Sequence, residues 1–378
     1  MLLTVVAYAT VAETALATVR GARSGALLAD LKGEPAAQLD RLSDRTMRTA
    51  IAAAPLEQRV LNVAMARDAK RHGRERAPIW LVVLSRLGWR DTGTLQNRIY
   101  AAALRNDLSS ILDISDALLR RQQLADQITQ VVLLLEVEPT LRPSLVKRLA
   151  GRPSWRSLYL GTTIGHLKTQ EQLSARVLLM EGLARYGPLD KSEVVPSINA
   201  LDHAGLVQQA FTLWQRVQPG VTRPLDDGEF DRVSRSYGTG YDPVPFQWQM
   251  MTGEGFGADA IRDGAHAVLT IHWSGRGVPV FAQQRTSAAP GHYALDLDIP
   301  VESKADLSTL SFKLACSKTA TPFVAAGSDP TRLRTVTAVP CAFPMLQIVG
   351  DVQPSAAAHQ VTISRIAMRP LNAGSEAN

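Results

Sequence analysis

Histidines and cysteines are the residues of this chain best suited to bind a metal, but their spacing does not predict a metal site. None of the histidines lies at helical or zinc-finger spacing from another histidine or a cysteine, so zinc has no support in the sequence. The chain also contains no G-x-S-x-G elbow and no P-loop. We therefore expect no catalytic residue, no cofactor and no bound metal. The seven histidines are His72, His166, His203, His266, His272, His292 and His359.

Two short segments contain clusters of glycine or of carboxylate residues, which are common in ligand-binding and catalytic sites. Residues 253–257, with the sequence GEGFG, are not followed by the helix of a βαβ unit, so a turn is predicted rather than a dinucleotide site. Asp226, Asp227 and Glu229 could bind a metal or exchange protons. Because they lie in a segment of linker composition, where clustered carboxylates are usually solvated, we predict a solvated cluster.

Aromatic and amide side chains near residue 245 could instead bind a glycan, by stacking on sugar rings and hydrogen bonding to hydroxyls. Tyr237 and Tyr241 lie in the glycine-rich approach to the first strand, where they are free to face a ligand. Trp248 is in phase with apolar residues of its strand, which favours core packing, so both roles stay open for it. Gln283 and Gln284 supply further amides nearby. The candidate glycan contacts are Tyr237, Tyr241, Trp248, Gln247 and Gln249.

The chain has only two cysteines, Cys316 and Cys341. Cys316 is in phase with the apolar residues of a predicted strand, and Cys341 begins the next apolar strand. A disulfide between neighbouring strand ends is geometrically reasonable and would suit a secreted or periplasmic protein. In a cytosolic protein the same two residues would be small buried hydrophobic side chains.

Apolar residues before residue 220 recur with a helical period. In a predicted helix over about 107–121, Ile111, Leu112, Ser115 and Leu118 fall on one stripe. Further amphipathic helices follow in pairs, and each pair covers about 34–37 residues, the period of tetratricopeptide-type repeats. Because one helical hairpin cannot bury its apolar face alone, several hairpins must stack. The sequence therefore predicts an α-solenoid with a concave surface.

The pattern changes to strict alternation after residue 232. Leu269, Ile271 and Trp273 are apolar, whereas Thr270 and His272 between them are polar. Such alternation buries one face of a strand and leaves the other in water, as in antiparallel sheets. About eight segments of this kind, separated by Gly and Pro, are typical of a sandwich. We predict a multidomain α + β protein in which the solenoid precedes an antiparallel, jelly-roll-like β-sandwich.

The first nineteen residues are largely apolar and contain no Lys or Arg, and their length matches one membrane crossing. Glu13 in the middle and the lack of a preceding basic stretch weaken this interpretation, and a buried first helix fits equally well. The predicted organisation is a membrane anchor or signal segment at 1–19, a helical solenoid at 20–217, a linker at 218–231, a β-sandwich at 232–370 and a disordered tail at 371–378.

Charge is distributed unevenly along the chain. The net charge is +6, from 41 Lys and Arg against 35 Asp and Glu. Residues 1–220 contain 28 basic and 20 acidic side chains, whereas the remainder contains 13 and 15. The basic residues are scattered along helices rather than clustered with aromatics, so we predict solvated helix faces and no nucleic-acid partner. An anionic partner such as phospholipid or an acidic glycan is the alternative.

Several segments resemble tetratricopeptide-repeat proteins of alphaproteobacteria, sphingomonads especially. In the helical part these segments are 88–96, 102–107, 116–121 and 153–156. The C-terminal part, with residues 290–293 and 339–341, is similar to the β-sandwich that follows the repeats in such proteins, itself reminiscent of carbohydrate-binding modules. The resemblance implies a cell-envelope protein, with some relatives encoded among exopolysaccharide genes.

We therefore predict a non-enzymatic cell-envelope adaptor, periplasmic or attached to the inner membrane through residues 1–19. Its repeats would bind a protein partner, and its sandwich would bind a polysaccharide or a protein, in exopolysaccharide biosynthesis or export. One alternative is a polysaccharide lyase, for which Tyr159 and His166 are the only close Tyr–His pair of the helical part. The other is a cytoplasmic repeat scaffold, in which Cys316 and Cys341 would be free thiols.

Overall fold

The structure is a computed structural model of the chain. It describes residues 43–53, 58–72, 79, 82–83, 89, 92–218, 224–236, 243–264, 266–317, 319–351 and 357–371. The predicted anchor or signal segment at 1–19 lies outside these residues, as does the predicted tail from residue 372 onward. The chain divides into two compact units, Met1–Tyr159 and Leu160–Asn378.

The first unit is helical in the part that the structure describes. Its helices are α1 (Asp44–Ala53), α2 (Gln58–His72), α3 (Thr92–Leu104), α4 (Leu108–Leu119), α5 (Ala125–Val137), α6 (Arg142–Ala150) and α7 (Arg156–Thr162), the last of which ends in the second unit. Helix α3 packs against α4, α4 against α5, and α5 against α6. Each of these helices is therefore a spatial neighbour of the next one in the chain.

Helix α4 illustrates why these segments are helical. Asp107 precedes it and accepts a hydrogen bond from the Ser110 backbone N–H at 3.1 Å, which satisfies one free donor of the first turn. Ile111, Leu112 and Leu118 are buried, so the predicted apolar stripe packs inside the unit. The predicted helix over about 107–121 is confirmed.

Asp116 of α4 is a buried carboxylate with three charged or polar donors. It accepts hydrogen bonds from Trp155 Nε1 at 2.9 Å, Arg120 Nε at 3.0 Å and Arg148 Nη1 at 2.9 Å. Burial alone would raise the pKa of Asp116, but these donors outweigh it and hold the pKa below its ordinary value. The hydrogen bonds connect α4 to α6 and to the residue that precedes α7.

The second unit also begins with helices. They are the end of α7, a 3₁₀ turn at Thr163–His166, α8 (Gln170–Ala184), α9 (Lys191–His203), α10 (Val207–Val217) and α11 (Asp231–Ser236). Helix α8 begins at a capping box, in which Thr169 Oγ1 accepts from Gln172 N at 3.2 Å and Gln172 Oε1 accepts from Thr169 N at 3.1 Å. Among the described residues, no helix is long and apolar enough to cross a membrane.

Antiparallel strands make up the rest of the second unit. In the described residues they are β1 (Gln249–Met250), β2 (Thr252–Gly253), β3 (Phe256–Asp263), β4 (His266–Trp273), β5 (Val280–Arg285), β6 (Tyr293–Asp298), β7 (Leu310–Ala315), β8 (Ala320–Ala326), β9 (Asp329–Thr335), β10 (Met345–Gly350), β11 (His359–Ile363) and β12 (Arg365–Pro370). An eight-stranded sheet has the order β1-β5-β10-β7-β8-β9-β6-β12, and a four-stranded sheet has the order β11-β4-β3-β2.

Both sheets contribute to one hydrophobic core. In β7, Leu310, Phe312 and Leu314 are buried and alternate with half-buried residues, which is the predicted pattern. Trp273 of β4 comes from the smaller sheet and is also buried in this core. The predicted succession of helices and then antiparallel strands is confirmed, and the protein belongs to the α + β class.

Helices α9 and α10 contact the strand-containing part of the same unit. Arg285 Nε of β5 lies 2.6 Å from Asp202 Oδ1 of α9. The ring of Phe211 on α10 is centred 5.2 Å from Phe246 and 5.3 Å from Phe343. These contacts join helices that precede the predicted linker at 218–231 to residues that follow it, while the predicted domain boundaries themselves stay predictions.

Hydrogen bonds from outside the sheets cover parts of two edge strands. Ile366 N of β12 donates to Gly228 O at 2.8 Å, and Thr362 N of β11 donates to Ser303 Oγ at 3.0 Å. The fit at β12 is close, because a Cβ on Gly228 would lie 2.1 Å from Ile366 O. Such contacts cover part of a sheet edge and so disfavour its pairing with strands of other chains.

Candidate ligand-binding surface

Three glutamine side chains form a hydrogen-bonded row across the eight-stranded sheet. Gln283 Nε2 donates to Gln249 Oε1 at 2.8 Å, and Gln347 Nε2 donates to Gln283 Oε1 at 3.2 Å. The residues are direct partners in the pairing of β1 with β5 and of β5 with β10. We call Gln249, Gln283 and Gln347 the amide row.

Strand alternation puts the amide row on the face of the sheet that points away from the core. Leu346 and Ile348 flank Gln347 in β10 and are fully buried, so Gln347 points to the opposite face. All three glutamines of the row are half-buried, which leaves part of each side chain accessible. A primary amide has two N–H donors and two acceptor positions, and the bonds within the row use only some of them.

A lysine continues the amide row on the next strand. Lys313 of β7 is the register partner of Gln347, and Pro322 of β8 follows it. At roughly 4.8 Å per strand, the distance from Gln249 to Lys313 is about 14 Å. The surface therefore presents a line of amides that ends beside an ammonium group. Amides hydrogen bond to hydroxyls, and an ammonium group attracts carboxylates.

Trp248 is a core residue rather than part of this surface. Its side chain is fully buried, and its Nε1 donates to Asp227 O at 3.1 Å. Its ring packs against Phe230, with the ring centroids 5.5 Å apart. A buried indole presents no ring face to a sugar, so of the two roles predicted for Trp248 the structure supports core packing.

The other predicted glycan contacts fall in different places. Gln249 is a member of the amide row. Gln247 is half-buried, and its Oε1 accepts a hydrogen bond from Val244 N at 3.5 Å, so it stabilises a local turn. Tyr237 and Tyr241 lie outside the described residues.

The sequence patterns used above do not single out Gln347. It lies 64 residues from Gln283, and only the pairing of β5 with β10 brings the two side chains together. The available signal is local, because a polar residue between two core-facing residues must point outward. Gln284, the other amide that the sequence offers for a glycan, points into the core instead. Its Nε2 donates to Phe246 O at 2.7 Å.

Cys316 and Cys341 are joined in a disulfide with an S–S distance of 2.07 Å. The bond connects the residue after β7 to the segment that precedes β10, and the two Cα atoms lie 6.0 Å apart. Both cysteines pack against the core of the sheets. Of the two alternatives left open for these cysteines, the structure therefore shows the disulfide and not two free thiols.

The acidic cluster has a structural role. The carboxylate of Asp227 accepts hydrogen bonds from Arg232 N at 3.0 Å and Val233 N at 2.9 Å, so it caps the start of α11. Asp226 pairs with the guanidinium of Arg232. Burial raises the pKa of both carboxyl groups. Asp226 and Asp227 are therefore largely buried, contrary to the solvated cluster that we predicted, whereas Glu229 is exposed.

The remaining candidates for chemistry do not form a catalytic group. Residues 253–257 form the predicted turn, since Gly253 pairs with Phe256 across the β2–β3 hairpin. Tyr159 is buried and donates to Glu136, whereas His166 is exposed at the end of a 3₁₀ turn. In the part of the chain that the structure describes, no group of three or more side chains could hold a metal ion.

No protein-family model matches this chain, and a search of curated proteins finds no match. The resemblance to tetratricopeptide-repeat envelope proteins therefore stays a prediction.

Proposed function

We propose that this chain is a non-enzymatic binding protein of the cell envelope and that its strand-rich part binds a glycan along the amide row. The observation that carries the proposal is the hydrogen-bonded series Gln249, Gln283 and Gln347, continued by Lys313. Amides that hold one another in place lose little conformational entropy when a ligand arrives. Sugar hydroxyls both donate and accept hydrogen bonds, and so they match the amide groups that the row leaves available.

The position of Lys313 favours an acidic glycan over a neutral one. An ammonium group and a carboxylate that lie 4 Å apart attract one another by about 1 kcal/mol in bulk water, and by more near a protein surface. This attraction is screened by salt, over a Debye length of about 10 Å at 0.1 M ionic strength. Binding that involves Lys313 should therefore weaken as salt is added.

We also propose a more specific architecture for the strands and for the helices. We infer a jelly-roll-like β-sandwich from the core that both sheets share, and an α-solenoid from the packing of consecutive helices. The solenoid would hold a protein partner. Leu134 on α5 and Leu158 on α7 are 70% and 61% exposed and offer apolar contact area for it.

The disulfide between Cys316 and Cys341 supports an oxidising compartment. Such bonds persist in the periplasm and outside the cell, whereas cytosolic reductants keep thiols reduced. A periplasmic location, either soluble or at the inner membrane, is therefore the one that we propose, and thiol titration of protein taken from its native compartment tests it.

Isothermal titration calorimetry with oligosaccharides of alginate, gellan and dextran tests the glycan proposal. We expect an acidic oligosaccharide to bind, with an affinity that falls as salt rises. Gln283→Met removes both hydrogen bonds of the row and keeps the length of the side chain, so it should weaken binding at least about tenfold, which corresponds to about 1.4 kcal/mol. Gln208→Met changes an exposed glutamine on α10 and is the matched control, expected to bind like the wild type.

Two outcomes would overturn the glycan proposal. The absence of binding heat with all three polymers would remove the ligand class, and unchanged affinity in Gln283→Met would remove the amide row as the site. A rise in ultraviolet absorbance from unsaturated uronates during the same incubations would identify a lyase instead.

A further inference from the structure

A cavity of about 630 Å³ lies at one end of the four-stranded sheet. It is lined where β3 and β11 begin and β4 ends, so three neighbouring strands contribute to it. Its volume is in the range of small-molecule sites, which is about 300–1,000 Å³. The side chains that line it include Phe256, His272, Trp273, Ser274, His359 and Gln360. We call it the His359 cavity.

His359 has one ring nitrogen engaged and the other without a partner. Its Nδ1 lies 3.1 Å from Asp306 Oδ1. Its Nε2 is buried, and no described residue supplies it with a hydrogen bond. The ring is held against Trp273, with the ring centroids 5.9 Å apart. A buried polar atom without a partner is unfavourable, so a ligand that supplies it with a hydrogen bond is favoured.

Asp306 fixes the chemical character of that nitrogen. A carboxylate accepts hydrogen bonds, so a neutral His359 places its proton on Nδ1 and leaves a lone pair on Nε2. The orphaned atom is then an acceptor and selects a ligand that has a donor. A hydroxyl group meets this requirement, whereas a carboxylate does not.

Other residues of the lining complete a mixed polar and apolar site. Ser274 and Gln360 supply a hydroxyl and an amide, and Phe256 supplies a half-buried aromatic ring. Gly255 keeps the site open, because a Cβ at that position would lie 2.7 Å from Ser274 Oγ. The φ angle of Gly255 is +77°, a value that also favours glycine.

We propose that the His359 cavity binds a single sugar ring or another small polyol, with one ligand hydroxyl donating to His359 Nε2, which a small turn of the imidazole ring exposes to the cavity. The mixture of hydroxyl, amide and imidazole groups with one aromatic ring matches a molecule that has polar edges and an apolar face. A metal ion is a poorer occupant, because the described residues that line the cavity include two histidines but no acidic residue and no cysteine.

This site is distinct from the amide row and does not depend on it. The row lies on β1, β5 and β10 of the eight-stranded sheet, whereas the cavity belongs to the four-stranded sheet. A protein that failed to bind polymers along the row would still bind a monosaccharide at His359. An experiment can therefore refute either proposal without refuting the other.

Nuclear magnetic resonance of the ¹⁵N-labelled histidine rings tests the proposal on the full chain. In the free protein we expect His359 to carry its proton on Nδ1. Titration with glucose, galactose, glucuronate, N-acetylglucosamine and myo-inositol at millimolar concentration should shift the His359 Nε2 signal with at least one of them, in parallel with a change in tryptophan fluorescence from Trp273. His266, which is exposed on β4, is the internal control and should not shift.

Variants separate recognition from folding. His359→Phe keeps an aromatic ring but removes the acceptor, so the affinity for the active ligand should fall at least about tenfold, or about 1.4 kcal/mol. His359→Gln restores an acceptor oxygen and should recover part of the loss. His266→Phe is the matched control and should bind normally. The proposal is overturned if no compound of the panel shifts His359 Nε2, or if His359→Phe binds the active ligand as well as the wild type does.

Discussion

Buried polar residues of this protein fall into two kinds. Some make hydrogen bonds that stabilise the fold, and others retain an atom that could hydrogen bond to a ligand. Asp116 is buried and has three hydrogen-bond donors, so its carboxylate stabilises the helices and has little left to offer a ligand. His359 is also largely buried, but one of its ring nitrogens lacks a hydrogen-bond partner among the residues that the structure describes. Native proteins satisfy nearly all buried polar groups, and an exception beside a cavity is therefore informative.

Replacement of Asp116 by Asn should destabilise the first unit by about 2 kcal/mol at neutral pH, because hydrogen bonds to a charged group are worth about 1.5–3 kcal/mol. The free energy of unfolding, measured by urea denaturation with circular dichroism, checks this. Asp126→Asn removes an exposed carboxylate on α5 and is the control, expected to change stability by less than about 1 kcal/mol. Equal effects of the two substitutions would contradict the role assigned to Asp116.

The contribution of Asp116 to the free energy of unfolding depends on pH. The hydrogen bonds lower the pKa of Asp116 in the folded state, so its stabilisation is fully present above the unfolded pKa of about 3.9. It is lost as the pH falls through the lower folded pKa. The difference in unfolding free energy between the wild type and Asp116→Asn should therefore shrink below about pH 4. A difference that grew on acidification would contradict a lowered pKa of Asp116 in the folded state.

At the level of elements, local periodicity predicts what each segment is but not which segments are neighbours. The alternation in β7 and the stripe on α4 follow from the burial of one face, and both can be recognised within a dozen residues. The amide row depends on β10 pairing with β5, and β5 in turn pairing with β1. Such non-local pairing is decided by packing of the whole core, so the row could not be predicted from any local pattern.

The covered edge of β12 gives a prediction about a single glycine. Gly228→Ala places a Cβ 2.1 Å from Ile366 O in the present backbone, so the segment must move away from the sheet edge. We expect a loss of at least about 2 kcal/mol in unfolding free energy, typical of steric overpacking. Gly165→Ala is the control, since no atom lies within 4 Å of its Cβ position. Calorimetric melting of the two variants checks the contrast, and similar melting temperatures would contradict it.

For the whole molecule, the helices nearest the strands contribute to the unit that contains the sheets. Composition changes near residue 220, and the linker at 218–231 that this change predicts stays a prediction. In the structure, α9 and α10 belong to the same compact unit as the sheets, through Asp202 with Arg285 and through Phe211. A change of secondary structure therefore does not by itself mark the end of a folding unit, because a helix can contribute side chains to the core of a sheet.

Two fragments test where the folding unit begins. A fragment that starts at Leu160 keeps α9 and α10 and should unfold in one cooperative transition. A fragment that starts at residue 219 loses the contacts of the half-buried Phe211 ring with Phe246 and Phe343, and aromatic pairs of this kind are worth about 0.5–1.5 kcal/mol beyond the area that they bury. We expect the shorter fragment to melt several degrees lower in differential scanning calorimetry. Equal melting temperatures would favour the boundary at 218–231.

The amide row also has a direction. Gln347 donates to Gln283 and Gln283 donates to Gln249, so the amide dipoles add head to tail across the sheet. Within the row itself, both N–H groups of Gln249 lie unused at the β1 end, and the carbonyl oxygen of Gln347 lies unused at the β10 end, beside Lys313. A sugar polymer has two chemically different ends, and its reversed form would not present the same hydroxyls to this series. If the row binds a sugar polymer as we propose, it should therefore bind that polymer in one orientation along the sheet.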